Sequence, residues 1–259
     1  MCGIFGYIGH RNASSLLVKG LLRLEYRGYD SSGVVVRNGQ LQSYKDIGKI
    51  SEMASSLPKL KGSMGIAHTR WATHGGVTKE NAHPHISNDG KVAIVHNGIL
   101  QNSDALRKRL ERAGVHLNSE TDSEVFCHYI AMALEEGKEP LEALQSVLSI
   151  VRGTWGVCVL FEDYDYVLCA RNGSPLIIGR GKNEMFISSD PHAIREHTDK
   201  LVALEDGQIA KLNAHDFQVM RTDGKEVKSN LLQLDEEWGE SELGDYPHFM
   251  LKEIHEQSQ

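Results

Sequence analysis

The apolar residues of this chain follow two rhythms, and the switches between them divide it into elements. Residues 3–9 form a short apolar run that predicts a strand. Asn12 offers a cap, and Leu16, Leu17, Leu21 and Leu24 follow at helical spacing, so a helix is predicted through Leu24. Val34–Val36 and Leu41–Tyr44 flank Asn38-Gly39, a hairpin signal. Two further strands are predicted over Met64–His68 and Val92–His96, each running into a loop of glycine and polar residues. A block of helices comes next. Asn102 or Ser103 caps one through Ala113, which Gly114 ends. Thr121-Asp122-Ser123-Glu124 has the form of a capping box ahead of Val125, Phe126, Ile130 and Leu134. Pro140 opens a third helix carrying Leu141, Leu144, Val147 and Leu148.

The strand rhythm then returns over Trp155–Phe161, Tyr166–Ala170, Leu176–Gly179 and Met185–Ser188, with three more strands between Leu201 and Arg221. Residues 158–160 and 176–178 are continuously apolar, as expected of strands buried on both faces. Strands, then helices, then strands predict α+β layering rather than a βαβ repeat. From about Lys225 the composition changes: residues 235–240 are acidic, and Pro247 is placed to open a short final helix. Residues 1–224 therefore read as one domain and 225–259 as a linker or tail.

Composition narrows the function classes. The 259 residues are 40% hydrophobic and 24% charged, an ordinary globular mixture, with net charge −7. With no basic block, nucleic acid and anionic membranes are poor partners. No apolar run is long enough to span a bilayer, and the first residues lack the pattern of a signal peptide. Four cysteines, Cys2, Cys127, Cys158 and Cys169, form no CxxC pair. The expectation is a cytoplasmic protein with no zinc ribbon and no redox dithiol.

The second residue carries the sharpest chemical signal. Removal of Met1 would leave Cys2 with both a thiol and a free α-amine, whose reference pKa of about 7.7–8.0 suits it to act as the thiol's own base. In the segment from Thr69 to Gly76, Arg70 offers a planar fork for a carboxylate and Trp71 a cover that excludes water. Asn97-Gly98 pairs a side-chain amide with an unobstructed backbone N–H, the donors of an oxyanion hole, though the same dipeptide is a common turn. Asp122 is either a charge favoured at a helix N-terminus or a counter-charge for an ammonium group. His83-Pro84-His85 could supply two metal ligands, but no carboxylate or cysteine cluster accompanies it, so loop structure is expected and no metal or cofactor is assigned.

Six ordered motifs carry a resemblance: Cys2-Gly3-Ile4, Leu24 to Ser31, Arg70 to Gly75, Asn81 to His85, His96-Asn97-Gly98 and Glu120 to Glu124. Together they resemble the glutaminase domain of the glutamine–fructose-6-phosphate aminotransferase family, within the class II glutamine amidotransferases. The resemblance covers about residues 2–225, with weaker matches over Tyr246–Ile254. It implies an αββα sandwich of the N-terminal-nucleophile hydrolase type. It also implies roles: Cys2 as nucleophile, Asn97 and Gly98 as oxyanion donors, and Arg70, Thr73 and His74 around a glutamine α-carboxylate. Asp122 would hold the α-ammonium, Trp71 would belong to a closing loop over 70–78, and Arg27 would brace the N-terminal residue. The partners implied are L-glutamine and a sugar-phosphate isomerase half that accepts ammonia onto fructose 6-phosphate, in a parent expected to be a homodimer. This half is expected beyond Gln259. The rival expectations are an amidophosphoribosyltransferase-type glutaminase and a glutamine-sensing module without turnover.

Overall fold

A computed structural model describes residues 2–229, 232–233, 251 and 254–255. The tail reading, including the helix from Pro247, lies almost wholly outside the described residues. Strands β1 (Gly3–Ile8), β2 (Ser31–Asn38), β3 (Gln40–Ile47) and β4 (Met64–Arg70) fill the first part, with helices α1 (Ala13–Leu24) and α2 (Ile50–Ser56). Then come β5 (His85–Ile86), β6 (Val92–Leu100), α3 (Ser103–Arg112), α4 (Glu124–Glu135) and α5 (Pro140–Ile150). The last part holds β7 (Gly153–Phe161), β8 (Val167–Asn172), β9 (Ile177–Arg180), β10 (Met185–Ser188), β11 (Lys200–Ala203), β12 (Gln208–Leu212), β13 (Phe217–Arg221) and β14 (Leu232–Gln233).

Two antiparallel sheets form the centre. One has the order β14-β11-β9-β10-β1-β4-β2-β3, the other β13-β12-β8-β7-β6-β5. Ile4, Val35 and Ile66 from the first sheet meet Val95, Cys158 and Leu160 from the second in a shared core. The outer face of the first sheet packs Phe5, Val34 and Ala67 against Leu17, Leu21 and Leu24 of α1. The outer face of the second packs Ile94, Val157 and Val159 against α3, α4 and α5 through Leu106, Phe126 and Leu144. The result is the four-layer αββα sandwich that the family resemblance implied. The hairpin at Asn38-Gly39 forms as read, with β2 and β3 paired from Ser31↔Ile47 to Asn38↔Gln40 and Gly39 at φ 75°.

Four local readings need correction. β4 does not stop at His68: Thr69 and Arg70 continue the ladder, paired with Gly3 and Ser31. β6 does not turn at Asn97-Gly98 but runs on to Leu100, with Asn97 opposite Gly156 and Gly98 opposite Trp155. The capping box does not form, because the Glu124 carboxylate accepts from the backbone N–H groups of Asn118 and Ser119 rather than from Thr121. Burial pushes that carboxyl up, but His128 and those N–H groups outweigh it and hold its pKa at about 2. Asn12 occupies the N-cap position of α1, yet its side chain donates to Leu60 O instead of capping. Helix α2, strand β5 and two 3₁₀ turns, Glu25–Arg27 and Pro191–Ala193, were not read from the sequence.

Candidate active site

Cys2 lies just ahead of β1, at the edge where β1, β4 and β6 bring their functional ends together. Its thiol accepts a hydrogen bond from Trp71 N–H at 3.3 Å and lies 3.6 Å from Trp71 O. Burial pushes the Cys2 thiol pKa up, against the opposing pull of the Trp71 N–H and the charges of Arg70 and Arg27. A thiol held in its neutral form is a poor nucleophile until a base takes its proton.

The backbone carbonyl of Cys2 is fixed from two sides. Arg27 Nε donates to it at 3.1 Å, and Asn97 Nδ2 donates at 3.1 Å. The Asn97 amide is itself oriented by His68, whose Nε2 is 3.0 Å from Asn97 Oδ1 and 3.1 Å from His96 O. Both neighbours are acceptors, so Nε2 of His68 carries the proton. Complete burial holds His68 neutral, with its pKa at about 3. One N–H of the Asn97 amide is used on Cys2 O. Gly98, at φ 136°, turns the backbone beside it into a conformation that a side chain would strain and where a Cβ would collide with Thr154 O.

A small, solvent-open pocket lies beside the thiol. Seven of the nine residues singled out in the sequence line it: Cys2, Arg70, Trp71, Thr73, His74, Gly98 and Asp122. The other two, Asn97 and Arg27, stand behind Cys2 on its carbonyl. Arg70 gives Nη1 to Gly76 O at 3.0 Å and Nη2 to the carbonyls of His74 and Gly75. The guanidinium therefore organises the loop that follows β4. The loop is tied further by Ala72 N–H to Asp30 at 2.8 Å and Gly76 N–H to Glu120 at 3.0 Å. Asp122 accepts from Leu100 N–H at 2.7 Å, which aims its carboxylate into the pocket wall with lone pairs to spare.

His83, His96, Thr121 and Ser123 also line the pocket and were not assigned there from the sequence. His83 and His85 stand with His68 in a buried cluster, at ring-centroid distances of 4.1 Å (His68–His83) and 4.6 Å (His83–His85), each pair nearly perpendicular. Burial drives the pKa values of His83 and His85 well below the ordinary histidine value and lowers that of His96. Among the described residues, no group of three or more His, Cys, Asp or Glu is arranged to hold a metal ion. Nor is any helix there long and apolar enough to cross a membrane.

A family model described as "Glutamine amidotransferase domain" matches residues 68–196. The chain is 43% identical over 260 residues to a glutamine–fructose-6-phosphate aminotransferase (isomerizing) of Thermus thermophilus, covering 99% of this chain and 43% of that one. It is 44% identical over 264 residues to the protein of that name in Bacteroides thetaiotaomicron, with the same coverage. The chain thus spans less than half the length of these curated relatives. Among solved structures, a glutamine phosphoribosylpyrophosphate amidotransferase from B. subtilis, complexed with ADP and GMP, superposes with TM-score 0.75 at 28% identity. That match covers 85% of this chain and 49% of the other.

Proposed function

We propose that this chain, a glutamine amidotransferase domain homologous to the glutaminase half of the glutamine–fructose-6-phosphate aminotransferases, hydrolyses the side-chain amide of L-glutamine through a thioester on Cys2. The observation that carries this reading is the convergence on one residue. Cys2 has its thiol in the pocket and its carbonyl gripped by Arg27 and Asn97, while Gly98 and Asp122 share the same pocket wall.

The geometry supports the following course. Glutamine enters with its α-carboxylate toward Arg70, near Thr73 and His74, and its α-ammonium toward Asp122. The Cys2 α-amine, free once Met1 is removed, takes the thiol proton as sulfur attacks the amide carbon. The second N–H of Asn97 Nδ2 and the Gly98 N–H receive the developing oxyanion. The protonated amine then gives its proton to the departing nitrogen, and ammonia leaves. Water, deprotonated by the same amine, attacks the γ-glutamyl thioester and releases glutamate. Trp71, in the loop over the thiol, excludes bulk water during the first half. In a longer protein of the curated relatives' length, the ammonia would pass to fructose 6-phosphate in a sugar isomerase half. The amidophosphoribosyltransferase reading shares the glutaminase chemistry, but the sequence match at 43–44% identity favours the sugar aminotransferases over the structural match at 28%.

The test supplies purified protein with glutamine, with and without fructose 6-phosphate, and measures glutamate, ammonia and amino sugar separately. Glutamate and ammonia in equal amounts are expected. Glutamine bound without turnover would favour a sensing module and refute the enzymatic reading.

A further inference from the structure

The segment that follows β10 reaches the nucleophile from outside the pocket. Ser189 N–H donates to Ile4 O at 3.0 Å, and Ile4 N–H donates to Ser189 Oγ at 3.0 Å, so this segment is stitched to the start of β1. One residue further, Asp190 Oδ2 accepts from Arg27 Nη1 at 3.1 Å, in an ion pair whose side chains are 9% and 15% exposed. The same oxygen accepts from Tyr26 OH at 2.5 Å, and Oδ1 accepts from His192 N–H at 3.0 Å. Burial raises the Asp190 carboxyl, but Tyr26 and His192 outweigh it, so the group stays below the ordinary aspartate range and ionised. Against it, burial and the Asp190 contact push the Tyr26 hydroxyl up to about 12, which keeps it a donor.

Arg27 therefore has two ends. One holds Asp190 and the other, Nε, holds Cys2 O. A residue at a chain terminus has no preceding peptide to fix it, so its carbonyl is the handle by which thiol and amine are aimed. We propose that Asp190 is a positioning residue for the nucleophile, acting through Arg27. It fixes the guanidinium so that Cys2 is held in attack geometry, and it balances the cationic charge beside the Cys2 amine. The inference rests on the proposed glutaminase reaction and adds to it a residue that touches neither substrate nor thiol. No local pattern marks Asp190 as functional, since it also serves as the N-cap of the 3₁₀ turn Pro191–Ala193.

The charge balance gives a readout that a purely structural role would not move. Neutralising Asp190 removes a negative charge from the Arg27 side of the site, and a less negative surround disfavours the protonated form of a neighbouring amine, so the pKa of the Cys2 base falls. Facing Asp190 besides Arg27 are the Tyr26 hydroxyl and the His192 ring, whose Nδ1 lies 2.9 Å from Oδ1 and loses its charged partner in the variant, whereas Arg70, Asp30, Glu120 and Asp122 around the pocket keep their contacts. The experiment compares wild type, Asp190→Asn and Asp190→Glu for kcat, KM and the pH profile of kcat/KM, with thermal unfolding in parallel. Glu184→Gln is the stability control. It removes the charge that strengthens the contacts of Tyr7 and Arg11 at the far end of the same β1–β10 pair, away from the pocket.

For Asp190→Asn, kcat is expected to fall roughly 10- to 100-fold through misplacement of the nucleophile, with KM for glutamine within about twofold. The acid limb of kcat/KM should move down by roughly half a pH unit. Asp190→Glu should recover part of kcat and restore the limb. A kcat within twofold of wild type overturns the proposal. So does a loss that only tracks the unfolded fraction, as in Glu184→Gln, with the acid limb unmoved. Absence of turnover in the wild type would refute the glutaminase reading and this proposal with it, whereas an active wild type matched by Asp190→Asn would refute this proposal alone.

Discussion

Replacing Asn97 by alanine removes three things at once, and the surroundings of each decide what is observed. The first is the amide N–H assigned to the oxyanion. Losing one such donor lowers kcat by about 10²–10³, or roughly 2.7–4 kcal/mol of transition-state stabilisation. The second is the hydrogen bond to Cys2 O, which keeps its other donor, Arg27 Nε at 3.1 Å. The third is the acceptor for His68 Nε2, which keeps His96 O at 3.1 Å. Neither buried partner is orphaned, so the stability loss should be only about 1–2 kcal/mol. That corresponds to roughly 2–8 °C in Tm for a domain of this size. Because the lost donor acts on charge that exists only in the transition state, KM should stay within about threefold. Steady-state glutamate release, with a parallel melting curve, separates these effects. An Asn97→Ala protein with kcat near wild type and a KM raised tenfold or more would refute the oxyanion assignment and make Asn97 a ground-state binding residue.

Other outcomes follow from the same contacts. Asp122→Asn keeps an acceptor for Leu100 N–H but loses the charge offered to an ammonium group. A charge-assisted contact is worth about 1.5–3 kcal/mol, so KM for glutamine should rise roughly 10- to 150-fold while the melting temperature holds; an unchanged KM would remove Asp122 from the head-group site. Protein that retains Met1 has the α-amine of Cys2 locked in a peptide bond, and intact mass paired with activity should find it inactive. His68, His83, His85 and His96 are buried with pKa values lowered by desolvation, in His68 to about 3. The unfolded chain binds protons on them from about pH 6.5 downward, so their stabilising contribution is complete above that pH and declines as pH falls toward 3. Tm should drop measurably between pH 7.5 and 5, and a flat profile would show that these rings accept protons in the folded state.

The α+β layering was legible in the sequence because its strands and helices carry apolar rhythms, whereas the four-layer sandwich came from the family resemblance: β10 matches its predicted bounds, and Leu16, Leu17, Leu21 and Leu24 mark the buried face of α1. Rhythm failed where backbone pairing outlasts the apolar pattern. Thr69, Arg70, Asn97 and Gly98 look like loop residues, yet their backbones continue the ladders of β4 and β6. Helix α2 is seven residues long and buries only Ile50 and Met53, too little for a period to show. The pocket residues were legible as motifs, whereas the supports behind them were not. His68 stood out only as a strand end, and Asp190 meets Arg27 across 163 residues of sequence. No spacing rule reaches that far, because the contact exists only once β10 has paired with β1. A weak local signal was available in Asp190-Pro191, an N-cap ahead of a proline, but it says nothing of a cation.

The central claim is that Cys2 alone among the four cysteines attacks the glutamine side chain. Cys127, Cys158 and Cys169 are buried, and burial raises the thiol pKa of Cys127 and Cys158 far above the ordinary value. A glutamine analogue with an electrophilic centre in place of the γ-amide, followed by peptide mapping by mass spectrometry, tests this directly. The account predicts one label per chain, on the Cys2 peptide lacking Met1, with excess glutamine slowing its formation and activity lost in step. A label on any other residue, or labelling of Cys2 at a rate that glutamine leaves unchanged, would contradict it.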